Sequence, residues 1–571
     1  MFRIGREHRL AVGRQLVWAA LSFAAPALAQ QAPGLIAPNV ERQGIPQIRP
    51  EEVSPHATAP RALSSGPALA DLSLASPLAR IDVQSALLAP QIAALLNPFI
   101  GKSRISGEEL ARARGEVWDL LRRHGRMTRV ELSGESSAQG SVLHVTVRDI
   151  AVRAVLVEPE RGSVLGQKTL DDILASAKTG LAEGGLLDIE GLENRIRRRL
   201  FLRDVDLRAV LVPVGVDQVN VKILVARRPA APIGLLAQLD NFGPRSFGQN
   251  RYTLGLSLAG RIVDGDQLDL MTINSSHMHY GRIGYEFPLL PLGARVDVSG
   301  AIVTYQAASG AKGQTTVLGS GLSYPFHIGD RTQWIGQLHY QHRQQTDRLD
   351  PFGNIADKAT DSVKGALDFR IYPGPAQVAY FTPALSVGRL DLSGLASALA
   401  QDQFTARTDG GFAKLEWEAG WNMLFGQRGR FDARIDAMGQ FADRNLDQSE
   451  KFALGGPRGI RAYGSAEALG DEGALVNAEL GYRPLPWLRA YTFYGVGRIR
   501  RNLNPWAVES IPQTYTLQGA GIGLSANVGP AVGSLIYTRQ IGNNPGRSAD
   551  GLDSDGLRGR ERVWFTLTLR R

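Results

Sequence analysis

Few side chains in this chain are spaced for chemistry, and most of those lack a partner. His277 and His279 in "SSHMHY" lie two residues apart. On a strand they share a face, as a metal pair requires, yet no third ligand is identifiable beside them. His339 and His342 fall on opposite faces of a strand and cannot form one site. Gly319-Ser320-Gly321 lacks the spacing of a serine-hydrolase elbow, and no Walker-type phosphate loop occurs. The absence of cysteine excludes disulfides, thiolate metal sites and a lipid-modified N-terminal cysteine. The net charge of +9 is spread over 571 residues without a dense Lys/Arg block, so nucleic acid is not an expected partner. No catalytic residue, metal or cofactor is expected.

One cation stands apart. "LGGPRGIRAYGSAEALGDEG", Leu454 to Gly473, holds six glycines and a proline, which no helix or strand interior tolerates well. Arg461 and Tyr463 sit in its middle. A guanidinium on a glycine-bent loop can make a charge-assisted, forked contact with a carboxylate, because the glycines let the backbone turn and come close to a wall. The plain alternative is an exposed loop with a solvated arginine.

The elements around this loop set what it can reach. Residues 1–29 form a targeting segment. Arg3, Arg6, Arg9 and Arg14 precede the apolar Leu16–Ala25, and Ala27-Leu28-Ala29 marks a cut before Gln30. No later stretch is long and apolar enough for a membrane helix. Residues 30–77 are a Pro-rich arm or linker, with Pro33, Pro38, Pro46, Pro50, Pro55, Pro60, Pro67 and Pro77 breaking any long helix. A short helix fits within Leu69–Ala75.

Residues 78–149 and 150–228 read as two α+β units with the order strand, helix, helix, strand, strand. In the first, Ile81–Val83 is a strand, Ser106 and Glu109 form a capping box, and Leu110, Ala113, Val117, Leu120 and Leu121 line one face of a helix ended by Gly125. Strands Met127–Leu132 and Val142–Val147 complete it. The second runs through the strand Val152–Val157, a helix from Thr169 with Asp172 at the box position, a helix Asp188–Leu202, and strands Val205–Val212 and Val219–Val225. Exposed edges of such sheets can accept an extended peptide as an added strand.

From residue 229 onward helical periodicity gives way to period-two alternation. Tyr252, Leu254, Leu256 and Leu258 alternate with small or polar residues, and Phe431, Ala433, Ile435 and Ala437 alternate with Arg430, Asp432, Arg434 and Asp436. Val563, Phe565, Leu567 and Leu569 lie opposite Arg562, Thr566 and Thr568. A soluble sandwich also alternates. Aromatic residues near strand ends, and charges of both signs on the second face, favour a membrane barrel with an oily exterior and a polar lumen. At roughly 20 residues per strand and turn, residues 229–571 make about 16 strands. A barrel of that width encloses water.

Several of these stretches together resemble the outer-membrane transporters of two-partner secretion, the TpsB group of haemolysin-activation and filamentous-haemagglutinin secretion proteins. Gly455-Gly456, then Ile460-Arg461-Ala462-Tyr463, then Gly470-Asp471-Glu472-Gly473 resemble the family's lumen loop, with Ile460 and Ala462 as departures. Asp240, Asn241 and Gly243, followed by Gly265-Asp266, resemble the motif that opens these barrels. Tyr285 to Leu289 resembles a family strand end, and Asn97 to Lys102 the start of the second helix of a POTRA domain.

The resemblance implies two tandem periplasmic POTRA domains and an outer-membrane β-barrel, with the loop around 453–475 folded into the lumen. It implies a secreted TpsA-type partner, an adhesin or haemolysin-like protein, exported without ATP. It also implies a surrounding outer-membrane bilayer and the barrel assembly machinery during biogenesis. The family's usual acceptor for the loop arginine is an Asp at the position held here by Gly495. Glu479 is the favoured substitute because it lies on the lumen parity opposite Val476, Ala478, Leu480 and Tyr482, with Asp436 and Glu418 as further inward candidates. The chain ends Leu569-Arg570-Arg571, where such barrels usually end on an aromatic residue. No plug helix is assigned to the arm. Alternative readings are an outer-membrane insertase of the same superfamily, an outer-membrane lipid hydrolase and a passive porin.

Overall fold

The computed structural model describes residues 72–571 except 87, 125–126, 138–139, 161–162, 164, 179–183, 188–190, 193–204, 216, 228–232, 290–292, 307–309, 330, 350–352, 375, 466 and 507–510. The targeting segment, the arm as far as residue 71, the helix end at Gly125 and nearly all of the expected helix Asp188–Leu202 lie outside the described residues. The chain divides into two compact units, the smaller built from residues 55–229 with 290–293, and the larger from residues 230–289 and 294–571.

In the smaller unit two three-stranded sheets share one topology. Strand Leu78–Gln84 runs parallel to Gly140–Asp149, which runs antiparallel to Thr128–Ser137. Strand Ala151–Pro159 runs parallel to Gln218–Arg227, which runs antiparallel to Val205–Pro213. In each sheet the strand that comes last in sequence is central, leaving the other two as edges. The helix Gly107–Arg123 buries Leu110, Ala113, Val117 and Leu121 against Leu143 and Val145. Its capping box is reciprocal: the Glu109 N–H donates to Ser106 Oγ at 3.2 Å, and the Ser106 N–H donates to Glu109 Oε2 at 2.9 Å.

Two local expectations fail here. Leu72–Ser73 is a strand paired with Arg104–Ile105, so Leu69–Ala75 is not a helix where it is described. Extended chain puts Leu72 and Leu74 on one side, and both cover Gly134, where an added Cβ would lie 2.7 Å from Leu72 Cδ1. The helix expected from Thr169 begins at Gln167, inside the reach of the Gly166 carbonyl, which accepts from the Thr169 and Leu170 N–H groups. Thr169 therefore lies in the first turn of the helix rather than ahead of it.

The larger unit is a closed antiparallel barrel of sixteen strands. They run from Ile233–Asp240 and Arg251–Ala259 to Ala531–Ile541 and Glu561–Arg570, with lengths from 8 residues in Ile233–Asp240 to 22 in Gly353–Gly374. The alternation read from sequence sets the two faces. Tyr252 and Leu254 are 57% and 62% exposed on the outside, while Arg251 and Thr253 between and beside them are buried. One end of the barrel carries short turns, such as 486–487 and 529–530. The other carries long loops, such as 443–471 and 542–560. Among the described residues no helix is long and apolar enough to cross a membrane. A helix, Ala396–Phe404, does occur in a long loop, against the expectation that helical structure ends before the barrel. Its Ala-rich start favours local helix.

The inner wall is less uniformly polar than expected. Met271, Ile273, Met278, Tyr280, Val303, Tyr305 and Val317 form an apolar patch on the inward parity, covered by Phe247 from the loop after the first strand. Phe247 meets Tyr305 edge-on at 5.3 Å. A wide lumen that folds its own loops inward needs apolar surface to hold them.

Closure depends on a short seam. The last strand pairs with the first over five residues, from Thr566 opposite Asp240 to Arg570 opposite Leu236. Backbone bonds in both directions between Leu235 and Arg571, at 3.0 Å, extend it at one end. Asn241 extends it at the other: its Nδ2 donates to the Val563 carbonyl and its Oδ1 accepts from the Phe565 N–H, each at 2.8 Å. Asn241→Ala removes both bonds and should cost about 1–3 kcal/mol. The expected outcome is a lower temperature for loss of the compact, heat-modifiable band on cold gels, with Asn241→Asp, which keeps only the acceptor, in between. An unchanged transition in Asn241→Ala would show that the seam does not rely on this amide.

Candidate functional site

The loop that leaves strand Phe431–Ala442 turns back into the barrel before strand Glu472–Leu485 begins. A two-residue ladder, Phe452–Ala453 against Leu469–Gly470, closes its base. Above it the backbone bonds to itself. Gly455 N–H donates to the Glu467 carbonyl, Gly456 N–H to Tyr463, and Ile460 N–H to Leu454. Gly456 takes a φ of +113°, a conformation that side chains rarely adopt. Gly455 is crowded: an added Cβ would lie 2.2 Å from the Gly464 carbonyl oxygen. The compact fold aims Leu454, Ile460, Ala462 and Tyr463 at the wall, and all four are completely buried with Leu475, Ile499 and Leu517.

The wall admits the loop because it is paved with glycine. A Cβ on Gly519 would come within 2.5 Å of Ala462 Cβ, and one on Gly497 within 2.7 Å of Leu454 Cδ2. Gly495, at the place of the family's acceptor, lies directly across the ladder from Asn477, whose Oδ1 would sit 2.3 Å from an added Cβ. No carboxylate can occupy that spot without displacing Asn477. One step along the same face, Glu479 stands opposite Phe493. Arg461 reaches into this corner. Its Nη2 donates to Glu479 Oε1 at 2.6 Å, its Nε to the Pro457 carbonyl at 3.3 Å, and its guanidinium lies 4.6 Å from the centre of the Phe493 ring. The Glu479 side chain is 2% exposed, so this ion pair is shielded from water. Arg489 shares Glu479 at 3.0 Å and also holds Asp432 at 2.6 Å.

Further bonds tie the loop around the barrel. Trp564 Nε1 donates to the Arg461 carbonyl at 2.6 Å, Gln540 Nε2 to the Ala462 carbonyl at 3.2 Å, and Tyr463 Oη to the Gln518 carbonyl at 3.1 Å. Asn544 and the Ser554 N–H bind the Glu467 carboxylate. Asp471, fully buried, accepts from the Leu446 and Leu503 N–H groups and from Lys451 at 2.8 Å. Gly470 packs against the Arg500 carbonyl and Gly473 against Ile499 and Phe452. Of the other carboxylates considered for Arg461, Asp436 binds Arg434 at 2.5 Å and the Tyr380 hydroxyl at 3.1 Å, and Glu418 is not among the partners of Arg461.

The motif at the barrel's opening has separate duties. Asp240 forms a buried ion pair with Arg251 at 2.7 Å, Asn241 lies on the seam, and Gly243 passes against the Gly248 carbonyl. Asp266 caps the first short turn, accepting from the Arg261, Ile262 and Val263 N–H groups and from the Tyr285 hydroxyl at 2.9 Å. His277 lies in a turn beside Ser276, and His279 meets Asn274.

Sequence reading missed Trp564 and the acidic run in the first half of the loop. Trp564 takes the inward parity between Val563 and Phe565, so a large aromatic among lumen-facing polar residues was the available signal. In the run, Asp447 pairs with Lys358 at 2.8 Å, and Glu450 with Arg343 at 2.8 Å and Lys414 at 2.9 Å. Burial would raise the Glu450 carboxyl, but the charges of Lys414 and Arg343 outweigh it and hold the group down to about 2.

A family model described as haemolysin secretion/activation protein ShlB/FhaC/HecB matches residues 220–526, more than half of the chain. The heme/hemopexin transporter protein HuxB of Haemophilus influenzae is 23% identical over 346 residues, and that of its strain 86-028NP is 24% identical over 349. Each alignment covers 58% of this chain, and the chain spans 60% of the length of these curated relatives. CdiB from Escherichia coli shares the fold over 100% of both chains, with a TM-score of 0.63 at 19% identity. BamA from Haemophilus ducreyi lacking POTRA domains 1–3 matches over 86% of this chain and 99% of its own, with a TM-score of 0.51 at 14% identity.

Removing one partner of a buried ion pair strands the other charge, at about 3–5 kcal/mol. Glu479→Ala should therefore free the Arg461 corner of the loop and open the Arg458–Gly459 bond to trypsin in folded, detergent-solubilised protein. Gly519→Val, which fills the space of Ala462, should do the same. Cleavage rates equal to the parent in both variants would show that neither contact holds the loop.

Proposed function

The chain belongs to the haemolysin secretion/activation family described by ShlB, FhaC and HecB, and from that premise we propose that it exports one secreted partner protein across the bacterial outer membrane. The observation that carries this reading is the glycine-bent loop packed on the inner wall of a closed sixteen-stranded barrel through Arg461 and Glu479. A passive porin has no need of the two α+β units that precede its barrel.

The mechanism follows from the parts. The short turns face the periplasm and the long loops the exterior, as in other outer-membrane barrels. The two POTRA-type units, residues 78–149 and 150–228, lie on the periplasmic side and take up the unfolded TpsA-type partner by adding its extended segments to their sheet edges. The second unit, next to the barrel in sequence, passes the chain on. The lumen conducts it outward, and no nucleotide is consumed. Folding of the partner outside removes the unfolded species and makes return unfavourable. The lumen loop positions the conducting wall. Asp240, Asn241, Gly243 and Asp266 hold the barrel's first hairpins and its seam in shape. The surrounding bilayer and the barrel assembly machinery serve biogenesis and placement.

Deletion of the gene should abolish one exported protein and leave other outer-membrane barrels at their usual levels. A general fall in outer-membrane barrels would point to the insertase reading. Arg461→Ala and Glu479→Ala should lower export to a similar degree. Near-normal export by Glu479→Ala, with the protein at parental level in the membrane, would reject the pairing as the working contact.

A further inference from the structure

The lumen loop is held on two sides, and only one of them involves the arginine motif. Its second half packs on strands Glu472–Leu485, Leu488–Arg500 and Thr514–Val528, and bonds to Trp564 on the last strand. Its first half, Leu446 to Lys451, runs along a different arc of the wall. Asp447 meets Lys358 of strand Gly353–Gly374 at 2.8 Å. Ser449 Oγ accepts from Arg343 Nη1 of strand Thr332–Leu349 at 3.0 Å, and Glu450 accepts from the same nitrogen at 2.8 Å. The other Glu450 oxygen lies 2.9 Å from Lys414 of strand Gly410–Phe425, and Gln440 Nε2 donates to the Glu450 carbonyl at 3.0 Å. The next residue, Lys451, points the other way, to Asp471 at the loop's end. Counted around the barrel, Arg343 and Gln518 stand on strands seven places apart in a circuit of sixteen, close to diametrically opposed.

The three wall cations come from three strands, and their charges converge on two carboxylates five and eight residues after the strand that ends at Ala442. Arg343, Lys414 and Glu450 have side chains 3%, 1% and 5% exposed. Cations so deeply buried need compensation, and the loop's acids supply it at 2.8–2.9 Å, with the wall's Glu416 further off at 3.6 Å from Lys414. If the loop left, Arg343, Lys358 and Lys414 would lose these acids and face an open lumen.

We propose that Asp447, Ser449 and Glu450 are a second, ionic latch that braces the loop across the lumen and keeps the channel closed until a chain in transit displaces it. The latch's geometry stands on the ion pairs alone; its use as a gate rests on the export function proposed above. Release of the Arg461 corner by itself leaves the loop tethered at this second arc, so both contacts must yield for the lumen to clear. Because the pairs are shielded, raised salt should loosen the latch little.

The test uses the full chain reconstituted in planar bilayers, with no secreted partner, so its outcome is independent of whether export is the function. Asp447→Asn with Glu450→Gln should raise the fraction of time spent in a high-conductance state at least tenfold over the parent. Asp447→Glu with Glu450→Asp, which keeps both negative charges facing Lys358, Arg343 and Lys414, should stay close to the parent. The parent chain has no cysteine. Ser449→Cys therefore gives a single thiol, which should react slowly with a membrane-impermeant maleimide, and at least tenfold faster when combined with Asp447→Asn. Normally assembled barrels with parental conductance and parental labelling would overturn the latch. Should the acidic pair of substitutions prevent assembly, Lys358→Gln with Lys414→Gln puts the same question from the wall side, with the same two readouts and the same criterion.

Discussion

A guanidinium removed from water needs a counter-charge, and in this molecule that requirement fixes the inside of a very wide cylinder. Sixteen strands enclose more space than wall side chains can fill. The loop that occupies it must hold one conformation against its own entropy. Arg461 supplies the specificity. Its charge is neutralised by Glu479, its flat face rests on Phe493, and its carbonyl is held by Trp564. Leu454, Ile460, Ala462 and Tyr463 pack fully buried against the wall, but apolar burial alone does not choose between registers of the loop on the wall. A single directional ion pair does.

The glycines serve that ion pair from both sides. In the loop, Gly455 and Gly456 let the chain double back tightly enough to present Arg461 at its apex. In the wall, Gly519 and Gly497 remove the side chains that would keep the loop at a distance. The guanidinium can reach Glu479 only because backbone meets backbone nearby. The acidic first half of the loop obeys the same rule with opposite sign. There the wall carries the cations, and Asp447 and Glu450 bring the anions.

Much of this was legible from local pattern. Period-two alternation identified the strands and their outer face, since Leu254 and Val563 read as outward from sequence and stand exposed on the barrel. The capping box at Ser106 and Glu109 was readable because its partners lie three residues apart. Thr169 and Asp172 have the same spacing, yet the helix there starts two residues before Thr169, at Gln167. Leu72 and Leu74 could not be read as strand, since what holds them extended is contact with Gly134, sixty residues on. Phe247 and its apolar patch escaped notice because each member, taken singly, looks like an ordinary strand residue.

By itself the sequence determined the class of the protein: two small α+β units, a long alternating tract, and one glycine-bent loop carrying an arginine. It also restricted the arginine's acceptor to a few inward carboxylates, because parity along a strand is a local property. Tertiary structure alone decided among them. Placing Glu479 beside Phe493, and Asn477 rather than a carboxylate across from Gly495, depends on the register between neighbouring strands. Bringing Arg343, Lys358 and Lys414 together over Glu450 and Asp447 depends on the curvature of the closed sheet. Register and closure are settled by all sixteen strands at once, through a cylinder that must meet itself, and no window of sequence carries that condition.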